Sequence, residues 1–436
     1  MATEGKSRGV DATDLMPSAV PEWLFLDLNS YFASVEQQEN PHLRGKPVAV
    51  VPVMTDATCA IAASYQAKAY GIKTGTMIGE AKLLCPTLTC VLANHDLYVD
   101  YHHKIIEEIE QHIPVTIVAS IDEVACKLEG SWRSKEKAVA LARRIKAGLT
   151  RNVGPAITCN IGIAPNRFLA KVASDMQKPD GLVVIEAQDL PERLYELELT
   201  DMPGIGANME RRLHGAGIRT MEALMKASRT RLRHVWRGVE GERFYYKIHG
   251  VDMPDVPTQR SSVGHSHVLA PELRPPQMAE LVMRRLTLRA SSRLRRLKHL
   301  ARHMEVSVRI DKGPRHSEGI SFSPANDSPM LLKQLRILWE RVREVTGNHP
   351  LKKVSVTFTH LVSEVELRQL ELFEMTREAG EAPTELRQRL SDAIDALNKR
   401  FGRDTVSLGM LPKSARGFSG TKVAFTRIPD KAEFHE

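Results

Sequence analysis

The chain of 436 residues is longer than one ordinary hydrophobic core supports, which predicts two to four domains. Its hydrophobic fraction of 42% is typical of a folded soluble protein, and it has neither an apolar run long enough to span a bilayer nor the N-terminal apolar segment of a secretory signal. The five cysteines form no C-x-x-C pair, which argues against a zinc site or a disulfide framework, while a net charge of +8 favours a polyanionic partner. We therefore expect a cytoplasmic protein without a membrane partner, with a flexible tail over residues 1–20.

The first predicted element is a buried strand, Trp23 to Leu26, which leads directly into Asp27. A carboxylate at the end of a buried strand is unfavourable unless a cation or a hydrogen-bond donor pairs with it. One alternative is that Asp27 caps the helix predicted to run through Glu36, for which Ser30 is a second candidate cap.

Two further acids, Asp122 and Glu123, fall between two β-rich runs, residues 115–119 and 124–128. Taken alone, such a pair is also compatible with a solvated acidic turn. Two buried strands that both deliver carboxylates to their ends, however, provide the oxygen ligands that magnesium or manganese prefers. Because two such ions can activate a hydroxyl and neutralise a leaving phosphate, the pattern indicates phosphoryl transfer.

Three blocks of sequence carry a resemblance to a known family: LDLNSYFASVE, SYQAKAYGIKTGT and ASIDEV. They resemble the signature blocks of the Y-family, or translesion, DNA polymerases, and in particular the DinB branch. The resemblance covers about residues 22–373, with the blocks in the expected order. It implies a multidomain α+β protein, a right-hand polymerase with a ferredoxin-like palm, small fingers, a helix-hairpin-helix thumb and an α+β little-finger domain.

The domain boundaries follow from this resemblance and from the linkers in the sequence. The palm is expected to have the order β-α-(insert)-α-β-β-α-β, with the fingers as the insert. The predicted segments are a flexible tail (1–20), the palm (21–38 and 96–186), the fingers (39–95), the thumb (187–254), a linker (255–259), the little finger (260–368), a clamp-binding peptide (369–373) and a C-terminal extension (374–436).

The resemblance also implies roles for single residues at the catalytic site. Two Mg²⁺ ions, for which Mn²⁺ can substitute, are expected on the carboxylates of Asp27, Asp122 and Glu123 and on the backbone carbonyl of Leu28. Phe32 falls on the steric gate, an aromatic ring under the sugar that leaves no room for a ribose 2′-hydroxyl.

The same resemblance places the incoming nucleotide against five residues: Tyr31, Phe32, Tyr65, Lys68 and Lys178. Without it, Tyr31 and Phe32 are more readily interpreted as core aromatics. Tyr65 and Lys68, spaced as i and i+3, are equally compatible with one face of an ordinary amphipathic helix.

The chain departs from the family pattern around these positions. Asn29 stands where a second aspartate is usual, and Lys68 stands where an arginine is usual. Ile61 is bulkier than the common small residue, and residues 125–127 replace an aromatic residue and an acid. Because lysine offers a point charge and no bidentate fork, we expect Lys68 to hold the triphosphate more loosely or from a different direction than an arginine would.

DNA contacts are predicted in two places. The turn Pro203-Gly204-Ile205-Gly206 resembles a helix-hairpin-helix element, in which the backbone N–H groups of Gly204 and Gly206 can hold a phosphate. Residues 260–368 carry a surplus of ten positive charges, so the rest of the chain is slightly acidic. The densest part is a predicted amphipathic helix, which is either a solvated basic helix or a phosphate-binding one. Its candidate DNA-binding residues are Arg284, Arg285, Arg289, Arg293 and Arg296.

The segment after the predicted little finger holds a short motif, Gln369-Leu370-Glu371-Leu372-Phe373. It resembles the peptide by which bacterial polymerases attach to the sliding clamp, with Gln369, Leu370, Leu372 and Phe373 as the anchors. A helical period over residues 384–401 follows, for which the sequence indicates no chemistry.

Together these observations predict a monomeric, template-directed translesion DNA polymerase. It transfers a nucleotide from a dNTP to the 3′-hydroxyl of primer–template DNA and releases pyrophosphate. We expect it to copy damaged DNA with low fidelity and so to act as a mutator. The alternative is a non-catalytic DNA- or clamp-binding adaptor. The three acids distinguish the two, because an adaptor has no need to keep them.

Overall fold

The computed structural model describes residues 17–255, 260–365, 384–402 and 404–409. The chain divides into two compact units, the first of which ends at Asp255. Within the described ranges, no helix is both long and apolar enough to cross a membrane.

The first unit contains eight strands and ten α-helices in its described residues. In chain order these are β1 (Trp23–Leu28), α1 (Tyr31–Glu39), β2 (Val48–Val51), β3 (Ala62–Ala63), α2 (Tyr65–Lys68), α3 (Ile78–Leu84), β4 (Thr89–Leu92), α4 (His95–Glu110), β5 (Ile117–Val118), β6 (Glu123–Lys127), α5 (Lys135–Gly148), β7 (Cys159–Ala164), α6 (Arg167–Met176), β8 (Leu182–Val184), α7 (Ala207–Gly215), α8 (Met221–Met225), α9 (Arg229–Trp236) and α10 (Val239–Ile248).

The central sheet of this unit has the strand order β5-β6-β1-β7-β8. All pairs are antiparallel except β7–β8, which is parallel. Every residue of β1 is buried, because the strand lies between two neighbours and its apolar side chains face packed elements. The predicted β-α-(insert)-α-β-β-α-β order is confirmed, and the insert forms its own small sheet, β3-β2-β4.

Helix α6 lies directly on β1 and β7, and Gly162 permits this close approach. A Cβ atom at Gly162 would collide with the backbone of α6 at Ala170 and Ser174. The N-terminus of this helix is capped by Asn166, whose side chain accepts a hydrogen bond from the backbone N–H of Leu169. The backbone of α6 is therefore fixed over the end of β1.

Two local expectations differ from the structure. Ser30 precedes α1 in the left-handed region with φ of 47°, and its side chain makes no capping hydrogen bond. The strand predicted over residues 115–119 is regular only at Ile117 and Val118. The reason is that residues 119 and 120 already close the turn to Glu123, through backbone hydrogen bonds from both N–H groups to its carbonyl.

The second unit is an α+β module with a separate hydrophobic core. Its elements are β9 (Ser262–Val268), α11 (Pro276–Arg296), β10 (His299–Ile310), β11 (Arg315–Ala325), α12 (Ser328–Thr346), β12 (Leu351–Thr359), β13 (Val362–Ser363) and α13 (Thr384–Phe401). The sheet has the order β11-β10-β12-β9, and β13 pairs with β10. Helices α11 and α12 cover one face of the sheet, and the helix predicted over residues 384–401 is confirmed as α13.

Candidate active site

The predicted metal ligands come from two neighbouring strands of the central sheet. Asp27 in β1 lies directly opposite Glu123 in β6 in the antiparallel register, so their side chains share one face. The backbone N–H of Leu28 donates to the carbonyl oxygen of Asp122 at 2.9 Å. The fold therefore brings all three acids to the same end of the sheet.

Two lysines from and after α6 pair with these acids. The Nζ atom of Lys171 lies 2.6 Å from Oδ2 of Asp27 and 2.7 Å from Oε1 of Glu123. The Nζ atom of Lys178 lies 2.9 Å from Oδ2 of Asp27 and 2.7 Å from Oδ1 of Asp175. Burial acts to raise the pKa of Asp27, but the two ammonium groups outweigh it, and the pKa is lowered.

Asp122 has a different environment, with no cation contact among the described residues. Its Oδ1 atom accepts a hydrogen bond of 2.6 Å from the hydroxyl of Ser120. Burial raises the pKa of Asp122, and the negative charges of Asp27 and Glu123 raise it further, although the Ser120 hydrogen bond opposes them. Three mutually repelling carboxylates thus lie close to one another.

These side chains fit a divalent cation in their chemistry, because hard carboxylate oxygens are what magnesium and manganese bind. Asp27 and Glu123 already converge on one positively charged atom, the ammonium nitrogen of Lys171. Across the ranges that the structure describes, no three His, Cys, Asp or Glu side chains are arranged around a common metal position. The carboxylate of Asp122 accepts from Ser120 instead, so two of the three neighbouring acids, Asp27 and Glu123, share one cation.

The two aromatic residues after Asp27 are deeply buried. Phe32 stacks on Tyr98 of α4, with ring centroids 4.4 Å apart. The hydroxyl of Tyr31 donates to the backbone carbonyl of Tyr98 at 2.6 Å. The Tyr31 hydroxyl thus serves helix–helix packing, and Phe32 has a rigid ring behind it.

The predicted triphosphate contacts lie beside an amide network. The hydroxyl of Tyr65 donates to Oδ1 of Asn29 at 3.2 Å, and Asn160 donates to the same oxygen at 2.6 Å. The ammonium group of Lys68 lies 4.3 Å from the centroid of the Tyr65 ring. Partial burial lowers the pKa of Lys68, and the positive charge of Lys178 lowers it further, while Asp27 opposes the shift.

Sequence reasoning missed three residues of this site. Lys171 is four residues before Asp175, which indicates only a local helical pair, and Tyr98 fits the apolar face of an amphipathic helix. Asn160 carried no signal in its own strand. The spacing of Lys171 and Lys178, seven residues apart on or after one helix, was the sole local indication that two cations share a target.

The glycines of the predicted helix-hairpin-helix turn lie at the start of α7. Gly206 is the residue before the helix, and Gly204 has φ of +92°, which favours glycine. A surface depression here is lined by Gly204, Gly206, Asn208 and Arg212. The first N–H groups of α7 are therefore accessible at its N-terminus, where an anion is favoured.

The arginines predicted to bind DNA lie on α11, and several contact the C-terminal segment instead. Arg285 is only 5% exposed and donates to Asp404 at 2.5 Å, while Arg289 lies 3.6 Å from the same carboxylate. Arg284 donates to the backbone carbonyl of Leu408 at 3.3 Å. The expectation of an open basic face is thus wrong for Arg285. Arg293 is half-buried and Arg296 is exposed.

The clamp-binding peptide predicted at residues 369–373 lies outside the described residues.

Comparison with known proteins gives consistent matches along the chain. A sequence profile of the impB/mucB/samB family matches residues 26–175, and the profile of that family's C-terminal domain matches residues 260–372. A SAM-like helix-hairpin-helix tandem profile matches residues 196–236.

Similar curated proteins carry one name. The chain is 31% identical over 402 residues to DNA polymerase IV of Moorella thermoacetica, covering 88% of this chain and 94% of that protein. It is 29% identical over 398 residues to DNA polymerase IV of Bacillus velezensis, covering 89% and 92%. Among solved structures, a Y-family DNA polymerase chimera of Dbh and Dpo4 superposes with a TM-score of 0.65 at 23% identity, over 79% of this chain and all of that one. This structural likeness establishes the common fold.

Proposed function

Since the chain belongs to the impB/mucB/samB family of Y-family DNA polymerases, we propose that its polymerisation site is formed by Asp27, Asp122 and Glu123. The protein is a DNA-directed DNA polymerase of the translesion type, and the adaptor alternative is not favoured. One observation carries the site assignment: Asp27 and Glu123, from adjacent strands, converge on one ammonium nitrogen at 2.6 and 2.7 Å, with Asp122 adjoining.

In the proposed reaction, the 3′-hydroxyl of the primer attacks the α-phosphate of a dNTP. A new P–O bond forms, the bond to the β-phosphate breaks, and pyrophosphate leaves. Two Mg²⁺ ions, or Mn²⁺ in their place, held by Asp27, Asp122, Glu123 and the Leu28 carbonyl, would lower the pKa of the hydroxyl and neutralise the leaving phosphate.

The chain's own cations are proposed to hold the triphosphate. Lys178 and Lys68 are close enough to influence each other electrostatically, and the ring of Tyr65, which lies against Lys68, is oriented by its hydrogen bond to Asn29. A triphosphate between the two ammonium groups relieves their repulsion. Tyr31 is proposed to support the site through its hydrogen bond to the backbone of Tyr98, and Phe32 is proposed to face the sugar.

We propose that DNA is bound mainly on the sheet face of the second unit that the helices leave open. Lys353, Arg309 and Arg315 lie directly opposite one another on three adjacent strands and are exposed. Like charges opposite each other destabilise a sheet. Glu305 on the same face lies 3.6 Å from Arg315 and offsets one of the three charges, so a polyanion across the face would still be favoured. The hydroxyl groups of Ser317 and Thr357 on the same face are proposed to add hydrogen-bond donors for phosphate oxygens.

The thumb and α11 are proposed to contribute further phosphate contacts. Gly204 and Gly206 would offer backbone N–H groups at the start of α7. On α11, Arg293 and Arg296 are placed for long-range attraction. Arg284 and Arg289 are proposed to contribute less, because the C-terminal segment already contacts them. Arg285, which is buried against Asp404, is not proposed to contact DNA.

For the segment outside the described residues, we propose that Gln369, Leu370, Leu372 and Phe373 bind a bacterial sliding clamp. Replacing all four with alanine is expected to weaken clamp binding while distributive synthesis on a short primer stays unchanged. Glu371→Ala is the matched control within the same peptide. We also propose that the polymerase is cytoplasmic, where the chromosomal DNA of a bacterium lies, and that it acts as a monomer.

Primer extension tests the site assignment. The intact protein is expected to extend a primer with Mg²⁺, and Asp122→Ala to lose that activity. Asp56→Asn, which changes an exposed acid of the insert paired with Lys82, is the control expected to keep it. Undiminished extension by Asp122→Ala would contradict the assignment, and no extension by the intact protein with Mg²⁺ or Mn²⁺ would favour the adaptor.

A further inference from the structure

We propose that Lys171 is an internal counter-ion of the carboxylate site, which a divalent cation must displace before it can bind. The inference rests on the proposed function, because it concerns how that same site takes up its metal. Two observations carry it: the position of the ammonium group between the carboxylates of Asp27 and Glu123, and a further carboxylate, Asp175, within its reach.

The ammonium group of Lys171 bridges the two strands. Its nitrogen is 2.6 Å from Asp27 and 2.7 Å from Glu123, which are strong charge-assisted contacts. The lysine side chain is 21% exposed and that of Asp27 is 11% exposed, so solvent screens the contact weakly. Without this cation, two carboxylates in register on adjacent strands would repel each other.

The bridge and a bound metal exclude each other. A divalent ion needs those carboxylate oxygens at about 2.0–2.6 Å, which is the space that the ammonium group fills. A divalent ion bound between Oδ2 of Asp27 and Oε1 of Glu123 would occupy the position of the Lys171 nitrogen and would be repelled by it. Metal binding between these two oxygens therefore requires that the ammonium group of Lys171 leaves, whereas Lys178, whose described contact with this pair is to Asp27, does not block that position.

The displaced ammonium group has another carboxylate with which it can pair. Asp175 lies one turn further along α6, and its carboxylate is 3.2 Å from Nζ of Lys171. The backbone of α6 is held against β7 at Gly162, so the exchange needs only a rotation of the side chain. Lys171 thus keeps a charged partner in both states, and the carboxylates keep a cation.

The consequence is a competition built into the apoenzyme. Lys171 keeps Asp27 and Glu123 together without metal, and it lowers the affinity of the site for metal by the free energy of its own contacts. Lys178 provides the comparison, since it contacts Asp27 and Asp175 and makes no ion pair with Glu123 among the described contacts. Replacing Lys178 with a neutral residue removes the same charge as replacing Lys171, but it leaves the contacts of Lys171 with Asp27 and Glu123 intact.

Mn²⁺ binding to the full chain without DNA or nucleotide, followed by electron paramagnetic resonance, tests the proposal. Lys171→Met is expected to bind Mn²⁺ at least tenfold more tightly than the unchanged protein, and Lys178→Met less than threefold. Lys171→Arg, which restores a bridging cation, is expected to return to the original affinity or below it. Equal tightening by Lys171→Met and Lys178→Met, or none by Lys171→Met, would overturn the proposal.

A measurement on the unchanged sequence covers the case in which Lys171→Met fails to fold. With ¹³C-labelled lysine, the side-chain resonance of Lys171, assigned by its loss in Lys171→Arg, is expected to shift on addition of Mg²⁺. An unshifted resonance at saturating Mg²⁺ would overturn the displacement. Asp122→Asn separates the two hypotheses, because Mn²⁺ binding unaffected by that change refutes the proposed polymerisation site itself.

Discussion

The ring of Phe32 stacks on the ring of Tyr98, with centroids 4.4 Å apart and planes inclined by 18°. Tyr98 is itself held, because its hydroxyl donates to Glu36 at 2.7 Å and accepts from the backbone N–H of Asn94 at 3.1 Å. Both rings are at most 4% exposed. A side chain that must exclude one oxygen atom needs such a rigid support, since a mobile ring would yield to the extra hydroxyl.

Sugar discrimination is therefore expected to depend on both rings. Phe32→Ala should raise ribonucleotide incorporation relative to deoxyribonucleotide incorporation by tenfold or more, about 1.4 kcal/mol in relative barrier height. Tyr98→Leu should give a smaller change of the same sign, because Phe32 remains but loses its stacking partner. The ratio of kcat/KM for an rNTP and the matching dNTP measures both effects.

Tyr98→Phe is the matched control, since it keeps the stacking ring and removes only the hydroxyl. It should retain discrimination close to that of the unchanged protein. Unchanged discrimination in Phe32→Ala would refute the gate assignment. A loss in Tyr98→Phe equal to that in Tyr98→Leu would show that the Glu36 hydrogen bond, and not stacking, holds the ring.

The open sheet face is expected to dominate the salt dependence of DNA binding. Replacing Lys353, Arg309 and Arg315 with alanine should reduce the slope of log K against log salt by about 0.9 for each lost phosphate contact. The matched control removes three exposed cations from the other side of the same unit: Lys333, Arg336 and Arg341 of α12. Equal losses in the two variants would show that total charge, and not the sheet face, determines binding.

The sequence predicted the elements of this fold more reliably than their partners. The strand ending at Asp27 and the turn at Asp122 and Glu123 are visible locally, because apolar runs and turn residues are local features. Lys171 contacts Asp27, which is 144 residues earlier in the chain. Such a tertiary contact leaves no periodic pattern in the sequence. Locally, the i, i+4 spacing of Lys171 and Asp175 indicates a helical pair and gives no sign of the contact with Asp27.

Helix α13 illustrates the limit in another way. The leucine period predicted its bounds, and the natural expectation is that the leucines are buried. Leu386, Leu390 and Leu397 are instead 66%, 46% and 40% exposed. The helix docks through polar residues, because Ser391 and Asp395 meet partners on α11 and α12 that no local pattern reveals.

Stability is expected to fall as His265 becomes protonated. His265 lies in β9, and burial together with Arg293, Arg289 and Arg296 of α11 lowers its pKa to about 4. The unfolded chain has the ordinary value of about 6.5, so between those values it binds the proton that the folded state does not. The contribution of the neutral His265 to the free energy of unfolding is therefore complete above pH 6.5 and decreases as the pH falls towards 4.

His265→Asn removes this titration and should reduce the loss of stability between pH 7.5 and 5.0, by about 2 kcal/mol at most. Hydrogen exchange in urea, followed on amides of β9 and β12, measures the unfolding of that unit. His349→Asn, at an exposed position after α12, is the control. An identical pH dependence in His265→Asn and the unchanged protein would contradict the prediction.

The docking of α13 depends on one buried arginine. Arg295 donates from Nε and Nη2 to the two carboxylate oxygens of Asp395 at 2.7 and 2.9 Å, and from Nη1 to the carbonyl of Asn326 at 2.6 Å. Its side chain is only 6% exposed. A buried guanidinium without its carboxylate is costly, so Asp395→Ala should lower the free energy of unfolding of the second unit by about 2 to 4 kcal/mol. It should also make α13 sensitive to limited proteolysis.

Two further variants separate this ion pair from general effects on the helix. Asp392 is 3.8 Å from the same guanidinium, but its side chain is 57% exposed, so Asp392→Ala should cost less than about 1 kcal/mol. The double variant Arg295→Met with Asp395→Leu should recover most of the lost stability, because it removes the buried charge together with its partner. If Asp395→Ala unfolds at the same urea concentration as the unchanged protein and α13 stays resistant to protease, contacts other than this pair hold the C-terminal helix.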